Sequence, residues 1–455
     1  MSGVHRFQPA GPLSGTLRPP PDKSISHRAA ILAAMADGTS ELRGYLDSAD
    51  TRSTLEAVRA LGCVVEATKG VAPGALAVRV EGIGLRGPGE RAGAGPLAID
   101  VGNAGTLLRL LPGWLAGQGE GTGSWILAGD ESIARRPVDR IVEPLRRMGA
   151  VVECRDGRLP PLAISAADLR GTSYDTPIAS AQVKSCLLLA GLLADGVTEV
   201  IEATPTRDHT ERMLRAAGAT VGVEKVGSGL SLGGALPGRR VRVEPAELLD
   251  PCGFDVPGDF SSAAFFVAAA LIVPRSRVLV EEVGLNPTRI GLLGILNRMG
   301  AAIEVTEEPA PDGEARGTLD VRPAPLRGTT VTAGEVPLAI DELPLVGLLG
   351  CFAEGRTVVR GAAELRHKES DRIARVVELL SAIGAQVEAF DDGFAVTGTG
   401  GVRGGSVDSY GDHRLAMTGA IAGLASRVGV EVSGMEAAAV SYPGFEADLG
   451  RLASG

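Results

Sequence analysis

The most regular feature along the chain is a polar cluster followed by an Ala/Leu-rich apolar run, repeated six times. The copies are DKSISHRAAILAAMADG from Asp22, GNAGTLLRLLPGWLAG from Gly102, ASAQVKSCLLLAGLLADG from Ala179, GDFSSAAFFVAAALIV from Gly258, AIDELPLVGLLGCFAEG from Ala339 and GDHRLAMTGAIAGLAS from Gly411. Their starts lie 80, 77, 79, 81 and 72 residues apart. Asp, Ser or Asn precedes each apolar run, the pattern of a helix N-cap whose short side chain accepts a backbone N–H. The runs are apolar nearly all round, so they predict helices buried inside a domain.

Between them a second pattern recurs: an amphipathic helix ending in Gly, flanked by β-prone stretches. Examples are LEAVRALGCVVEA from Leu55, IVEPLRRMGAVVEC from Ile141, MLRAAGATVGVE from Met213, LLGILNRMGAAIEV from Leu292 and VVELLSAIGAQVEAF from Val376. Each Gly predicts a left-handed C-cap, which glycine adopts without strain. The sixth copy, FEADLGRLASG, reaches the last residue. The repeat is therefore a βαβαββ unit used six times, dividing into two lobes of three. The stiff LRPPPD at 17–22 and RRVRVEPAE at 239–247 are the expected crossing points, giving lobes of 21–242 and of 1–20 plus 243–455.

Composition changes this picture in three ways. With 63 Gly and 3% aromatic residues in 455, the chain suits helices sheathed closely by sheets. Net charge is -10, which disfavours nucleic acid and anionic membranes as partners but allows a small anionic substrate. Five cysteines (63, 154, 186, 252, 351) and five histidines are scattered without CxxC or HExxH, which argues for a reducing compartment and against a metal site. The amino terminus lacks a signal-peptide core, and apolar runs such as FFVAAALIV fall short of the ~20 residues a bilayer needs. A soluble cytoplasmic protein is expected.

Against this acidic background, basic residues gather at the cap and loop positions. DKSISHR brings Lys23, Ser24 and Arg28; SAQVK brings Ser180, Gln182 and Lys184; GDHR brings Arg414. The second elements add Arg135 and Arg136 in ARRP, Arg207 in TRDHTER, and Lys368, Glu369 and Arg372 in RHKESDR. Singly, each reads as an N-cap with a solvated flank or a helix start with paired charges. Jointly, at matching places in successive repeats, they point to a strongly anionic ligand set, because helix N-termini and cations together bind phosphate and carboxylate.

The series DKSISHR, GNAGTLLR, RRP, SAQVKS, TRDHTE, IDELP, KESDR and GDHR resembles, in order and spacing over essentially the whole chain, the 5-enolpyruvylshikimate-3-phosphate synthase family. The resemblance implies a two-domain inside-out α/β barrel, each domain three βαβαββ repeats with buried helices, and an active site in the interdomain cleft. It implies a monomer closing on its substrates without metal or organic cofactor. The implied reaction joins the enolpyruvyl group of phosphoenolpyruvate to the 5-hydroxyl of shikimate 3-phosphate and releases phosphate through a tetrahedral intermediate.

Carried over by position, Lys23, Ser24, Arg28, Ser180, Ala181 (through its backbone N–H), Gln182, Arg207, Asp341 and Lys368 fall on the shikimate 3-phosphate side. Lys23, Gly105, Arg136, Gln182, Arg372 and Arg414 fall on the phosphoenolpyruvate side. Asp341 resembles the base for the 5-hydroxyl; Glu369, with Lys23 as the competing donor, resembles the acid for the methylene carbon. The chain departs from many members at Ala181, where a second Ser is common, and at Val440, where some carry a Lys that reaches phosphoenolpyruvate. Gly105, where some tolerant relatives have Ala, implies inhibition by glyphosate. Two rival families of function differ from this pattern. The UDP-N-acetylglucosamine enolpyruvyl transferases show Lys-Asn where this chain has Lys23-Ser24, and a loop Cys where it has none between Cys63 and Cys154. A non-catalytic phosphate-ligand binder would not need both Asp341 and Glu369.

Overall fold

The computed structural model describes residues 3–90, 95–226, 236–308 and 313–454. All six apolar runs are helices: α1 (Lys23–Met35), α2 (Gly105–Ala116), α3 (Ala181–Gly191), α4 (Phe260–Ile272), α5 (Leu343–Phe352) and α6 (His413–Ala425). Four carry the expected caps: Asp22 accepts from Ile25 N at 2.8 Å, Ser180 from Val183 N at 3.4 Å, Asp259 from Ser261 N at 2.9 Å and Asp412 from Arg414 N at 2.9 Å. The other two differ. α2 and α5 begin after Ala104 and Glu342 without a side-chain cap, and Asp341 is turned toward cationic side chains instead.

Burial follows from the all-round apolar pattern; every residue of α4 is buried. Small residues are what let such helices pack. A Cβ on Gly113 of α2 would stand 2.1 Å from the Cys186 carbonyl oxygen of α3, so these helices touch backbone to backbone. The C-capping glycines of the second helices, Gly62, Gly149, Gly218, Gly300 and Gly384, all have positive φ, between 84° and 108°.

Six small sheets accompany these helices among the described residues. The repeat is plainest in the sheet ordered Leu97–Asp100, Ser124–Ala128, Leu159–Ser165, Val151–Arg155: one parallel pair across the buried helix, then an antiparallel hairpin. Three sheets take an edge strand from far along the chain. Gly253–Asp255 pairs with Thr39–Leu46, Ser14–Leu17 with Arg277–Gly284, and Val4–Phe7 with Val430–Ser433. The chain accordingly separates into two compact units, each with its own apolar core. The N-unit comprises 21–256 and 311–314, and the C-unit comprises 1–20, 257–310 and 315–455. The division at 256/257 falls beyond the 242/243 read from the sequence because the strand Gly253–Asp255 completes an N-unit sheet. No helix among the described residues is long and apolar enough to cross a membrane.

Candidate active site

In the N-unit the heads of α1, α2 and α3 carry the polar groups. Arg28 lies one helical turn into α1 and is buried, donating from Nε to Thr210 Oγ1 at 2.8 Å, from Nη2 to Ser185 Oγ at 3.0 Å and from Nη1 to the Ser24 carbonyl at 2.9 Å. All three acceptors are neutral. Burial, then the repulsion of Arg207, pulls its pKa down to about 10 against the opposing charges of Glu211, Asp22 and Glu314, so Arg28 stays charged near neutrality. Arg207 donates to the Ser24 hydroxyl at 3.3 Å, which joins the TRDH loop to the start of α1. Lys23 is partly exposed and bonds Asp50 at 3.0 Å. His27 is buried against Thr54 Oγ1 at 2.6 Å. Burial, with Lys23 and Arg28 adding repulsion, holds it well below the usual imidazole range, hence neutral.

The second N-unit cluster surrounds Gly105. A Cβ at this position would stand 2.7 Å from Arg136 Nη1 and 3.2 Å from Arg109 Nη1. Arg136 therefore borders the α2 start, while Arg135 is 78% exposed and pairs with Glu131. Arg109, buried and overlooked in the sequence reading, donates to the Gly105 carbonyl at 3.3 Å, the Pro137 carbonyl at 3.1 Å and Gln182 Oε1 at 3.2 Å. Gln182 in turn donates to Thr106 Oγ1 at 3.2 Å, so the starts of α2 and α3 are tied side chain to side chain. Ser180 uses its oxygen as the α3 cap, which leaves its O–H proton to donate, and Ala181 is the first residue of α3. The signal that could have found Arg109 was a lone charge within the apolar run after GNAGT.

Lys184 corrects the sequence reading. Grouped there with the cationic caps, it is fully buried and bonds Glu202 and Glu211, each at 2.8 Å. Burial alone would lower its pKa, but the two carboxylates outweigh that and leave it raised. It fixes the α3 interior rather than facing a ligand.

In the C-unit one buried guanidinium gathers the acids. Arg372 donates from Nε to Asp412 Oδ2 at 2.8 Å, from Nη1 to Asp341 Oδ1 at 3.1 Å and from Nη2 to Glu369 Oε2 at 2.6 Å. Lys368 Nζ lies 3.6 Å from the same Asp341 oxygen. Burial opposes the charge on Arg372, yet Asp412, Glu369 and Asp341 overcome it and raise its pKa. Asp412 also caps α6 and accepts from Ser370, so the α6 head and the KESDR segment share one carboxylate. Arg414 is 5% exposed, near the Phe265 ring at 5.8 Å, and its Nε and Nη1 have no hydrogen-bond partner among the described residues. Val440 closes a short 3-10 turn and brings no cation.

Chemically, the N-unit groups offer cations and hydroxyls to anionic oxygens. The C-unit groups hold three carboxylates, Asp341, Glu369 and Asp412, on one cation, with Arg414 as a second buried arginine.

Comparison with known proteins agrees over the full length. The family described as EPSP synthase (3-phosphoshikimate 1-carboxyvinyltransferase) matches residues 7–449. A protein of that name from Thermus thermophilus is 47% identical over 448 residues, covering 98% of each chain. Another from Synechococcus is 44% identical over 450 residues, covering 98% of this chain and 96% of the relative. The solved structure of EPSP synthase from Acinetobacter baumannii superposes with a TM-score of 0.82 at 38% identity, covering 99% and 98%. An enolpyruvyl transferase from Streptomyces tendae, 19% identical with a TM-score of 0.74 and covering 99% and 98%, shares the fold.

Proposed function

The chain belongs to the EPSP synthase family, and from that premise we propose how its residues divide the reaction. The enzyme transfers the enolpyruvyl group of phosphoenolpyruvate to the 5-hydroxyl of shikimate 3-phosphate and releases phosphate. In our reading Asp341 removes the 5-hydroxyl proton as the oxygen attacks C2 of phosphoenolpyruvate. Glu369 delivers a proton to the methylene carbon, giving the tetrahedral ketal. The transfers then reverse: Glu369, now a carboxylate, takes a proton from the new methyl group as the carbon–oxygen bond to phosphate breaks and the double bond is restored, and the proton held by Asp341 passes to the departing phosphate, so protons and charge balance. The observation that carries the base role is that Arg372 bonds Asp341 while Lys368 Nζ lies 3.6 Å from the same oxygen, which fixes that carboxylate; Glu369, on the same guanidinium, is assigned the acid role by its place in the KESDR segment. Lys23, bonded to Asp50, is the competing donor.

Binding follows from charge. Lys23, Ser24, Arg28, Ser180, the Ala181 N–H, Gln182, Arg207, Asp341 and Lys368 take shikimate 3-phosphate. Lys23, Gly105, Arg136, Gln182, Arg372 and Arg414 take phosphoenolpyruvate. The two Arg414 nitrogens without a hydrogen-bond partner among the described residues support its use for an anion. Glyphosate competition with phosphoenolpyruvate is supported by the tight space at Gly105. We further propose a monomeric cytoplasmic enzyme; five cysteines free of disulfides are in keeping with that compartment. The sugar-nucleotide acceptor is not favoured, since the family match and the relatives agree over the whole chain.

The test is phosphate release from phosphoenolpyruvate with either shikimate 3-phosphate or UDP-N-acetylglucosamine as acceptor. Release only with the first, abolished in Asp341→Ala, is expected. Release only with the sugar nucleotide, or undiminished release in the variant, would overturn the reading.

A further inference from the structure

The residue after the proposed base is a second acid that no step above uses. Glu342 is fully buried at the head of α5, and its Oε1 accepts from Arg289 Nη1 at 3.0 Å and from the Ser261 hydroxyl. Arg289, also buried, donates from Nη2 to Asp259 Oδ1 at 3.1 Å and to the Ser261 hydroxyl oxygen. Asp259 caps α4 and takes the Ser262 hydroxyl at 3.1 Å. The Glu342 backbone is fixed as well: its N–H donates to Ala339 O at 3.0 Å, and its carbonyl accepts from Leu345 N at 2.9 Å.

This cluster repeats the arrangement around Arg372. There an arginine joins Asp341 to Asp412, the cap of α6; here an arginine joins Glu342 to Asp259, the cap of α4. Two consecutive acids are thus tied to the heads of two buried helices. The difference is water. Asp341 and Lys368 keep 14% and 27% of their side-chain surface exposed, whereas Glu342, Arg289 and Asp259 keep at most 4%. Apolar residues of similar volume would hold a fold as well as a dry ionic cluster does. What such a cluster adds is direction, because each partner is held by hydrogen bonds of fixed geometry. Asp341 and Glu342 share one planar peptide group, so anchoring Glu342 limits where the Asp341 carboxylate can stand.

We infer that Glu342 is a positioning residue for this reaction: clamped by Arg289, Ser261 and Asp259, it sets Asp341 in place to take the 5-hydroxyl proton. The inference rests on Asp341 being the base. Its test is a double-mutant cycle in the full-length enzyme, reading kcat and KM by phosphate release for Asp341→Ala, Glu342→Ala, Glu342→Gln and the double variant Asp341→Ala/Glu342→Ala. Glu342→Ala lowers kcat by about 10- to 100-fold, as loss of near-ångström alignment does, with both KM values within about threefold. Glu342→Gln, which keeps an acceptor for Arg289 and Ser261, recovers most of the loss. The double variant is no slower than Asp341→Ala, because the second change acts only through the first. Wild-type turnover by Glu342→Ala overturns the inference, as does a double variant that loses the same factor again. Should thermal melting show Glu342→Ala unfolded, the same cycle is read with Arg289→Lys, which keeps the charge and loses the planar fork; non-additive loss supports the clamp, and additive loss or none rejects it. Undiminished turnover by Asp341→Ala would sink the base assignment itself, an outcome distinct from an inactive Asp341→Ala beside an indifferent Glu342→Ala.

Discussion

Two buried arginines, Arg28 in the N-unit and Arg372 in the C-unit, show how surroundings assign different work to one side chain. The hydrogen bonds of Arg28 end on two hydroxyls and a carbonyl. Those of Arg372 end on three carboxylates. The pKa values move in opposite directions, down to about 10 for Arg28 and upward for Arg372. The groups bonded to Arg28 are neutral, and Glu211, Asp22 and Glu314 offset burial and Arg207 only in part, which leaves Arg28 fit for an incoming phosphate. Carboxylate partners offset the charge and are themselves arranged by it, which makes Arg372 an organiser of proton-transfer groups beside its proposed contact with phosphoenolpyruvate. In the C-unit, Arg414 has two guanidinium nitrogens without a hydrogen-bond partner among the described residues.

The sharpest way to break this contrast is at the C-unit acids. Asp341→Ala should lower kcat by about 10³-fold, within the range of general-base catalysis, and stopped-flow phosphate release would measure it. Next comes the N-unit cation. Arg28→Met should raise KM for shikimate 3-phosphate by about 10- to 100-fold, the worth of charge-assisted hydrogen bonds, with kcat at saturation much less affected. Arg28→Lys should recover only part, because an ammonium cannot meet Thr210, Ser185 and a phosphate with one planar fork. Gly105→Ala should be milder still. Its Cβ at 2.7 Å pushes Arg136 Nη1 aside, raising KM for phosphoenolpyruvate by about tenfold or less and the glyphosate inhibition constant by more.

The smallest effect concerns His27, held neutral between Lys23 and Arg28. Its native pKa lies below the unfolded value, so below about pH 6.5 the unfolded chain binds a proton that the native state refuses. Its contribution is therefore complete above that pH and is lost as pH falls, by at most about 1.4 kcal/mol per pH unit. Urea melts from pH 7.5 to 5.5 should show a shallower decline in His27→Gln; parallel declines would remove His27 from the account.

Much of this was legible in the pattern of residues. Apolar runs gave the buried helices, and glycine after each amphipathic helix gave the left-handed caps, because both signals are local. The edge strands Val4–Phe7, Ser14–Leu17 and Gly253–Asp255 were not, since each is three or four residues long and pairs with partners more than 200 residues away. Charge type also failed to report direction. Lys184 and Gln182 stand two residues apart at the head of α3, yet one turns into a carboxylate pair and the other toward Arg109. Asp341 read as a cap when alone; the cations that draw it away come from a segment some thirty residues later.

The central claim, that neutral-partnered arginine binds while carboxylate-partnered arginine organises chemistry, is tested by measuring shikimate 3-phosphate affinity beside the single-turnover rate in Arg28→Met and Asp341→Asn. The account predicts that Arg28→Met loses about 10-fold or more in affinity and little in rate, and that Asp341→Asn loses about 100-fold or more in rate and little in affinity. Equal losses of both quantities in both variants, or the reverse assignment, would contradict it.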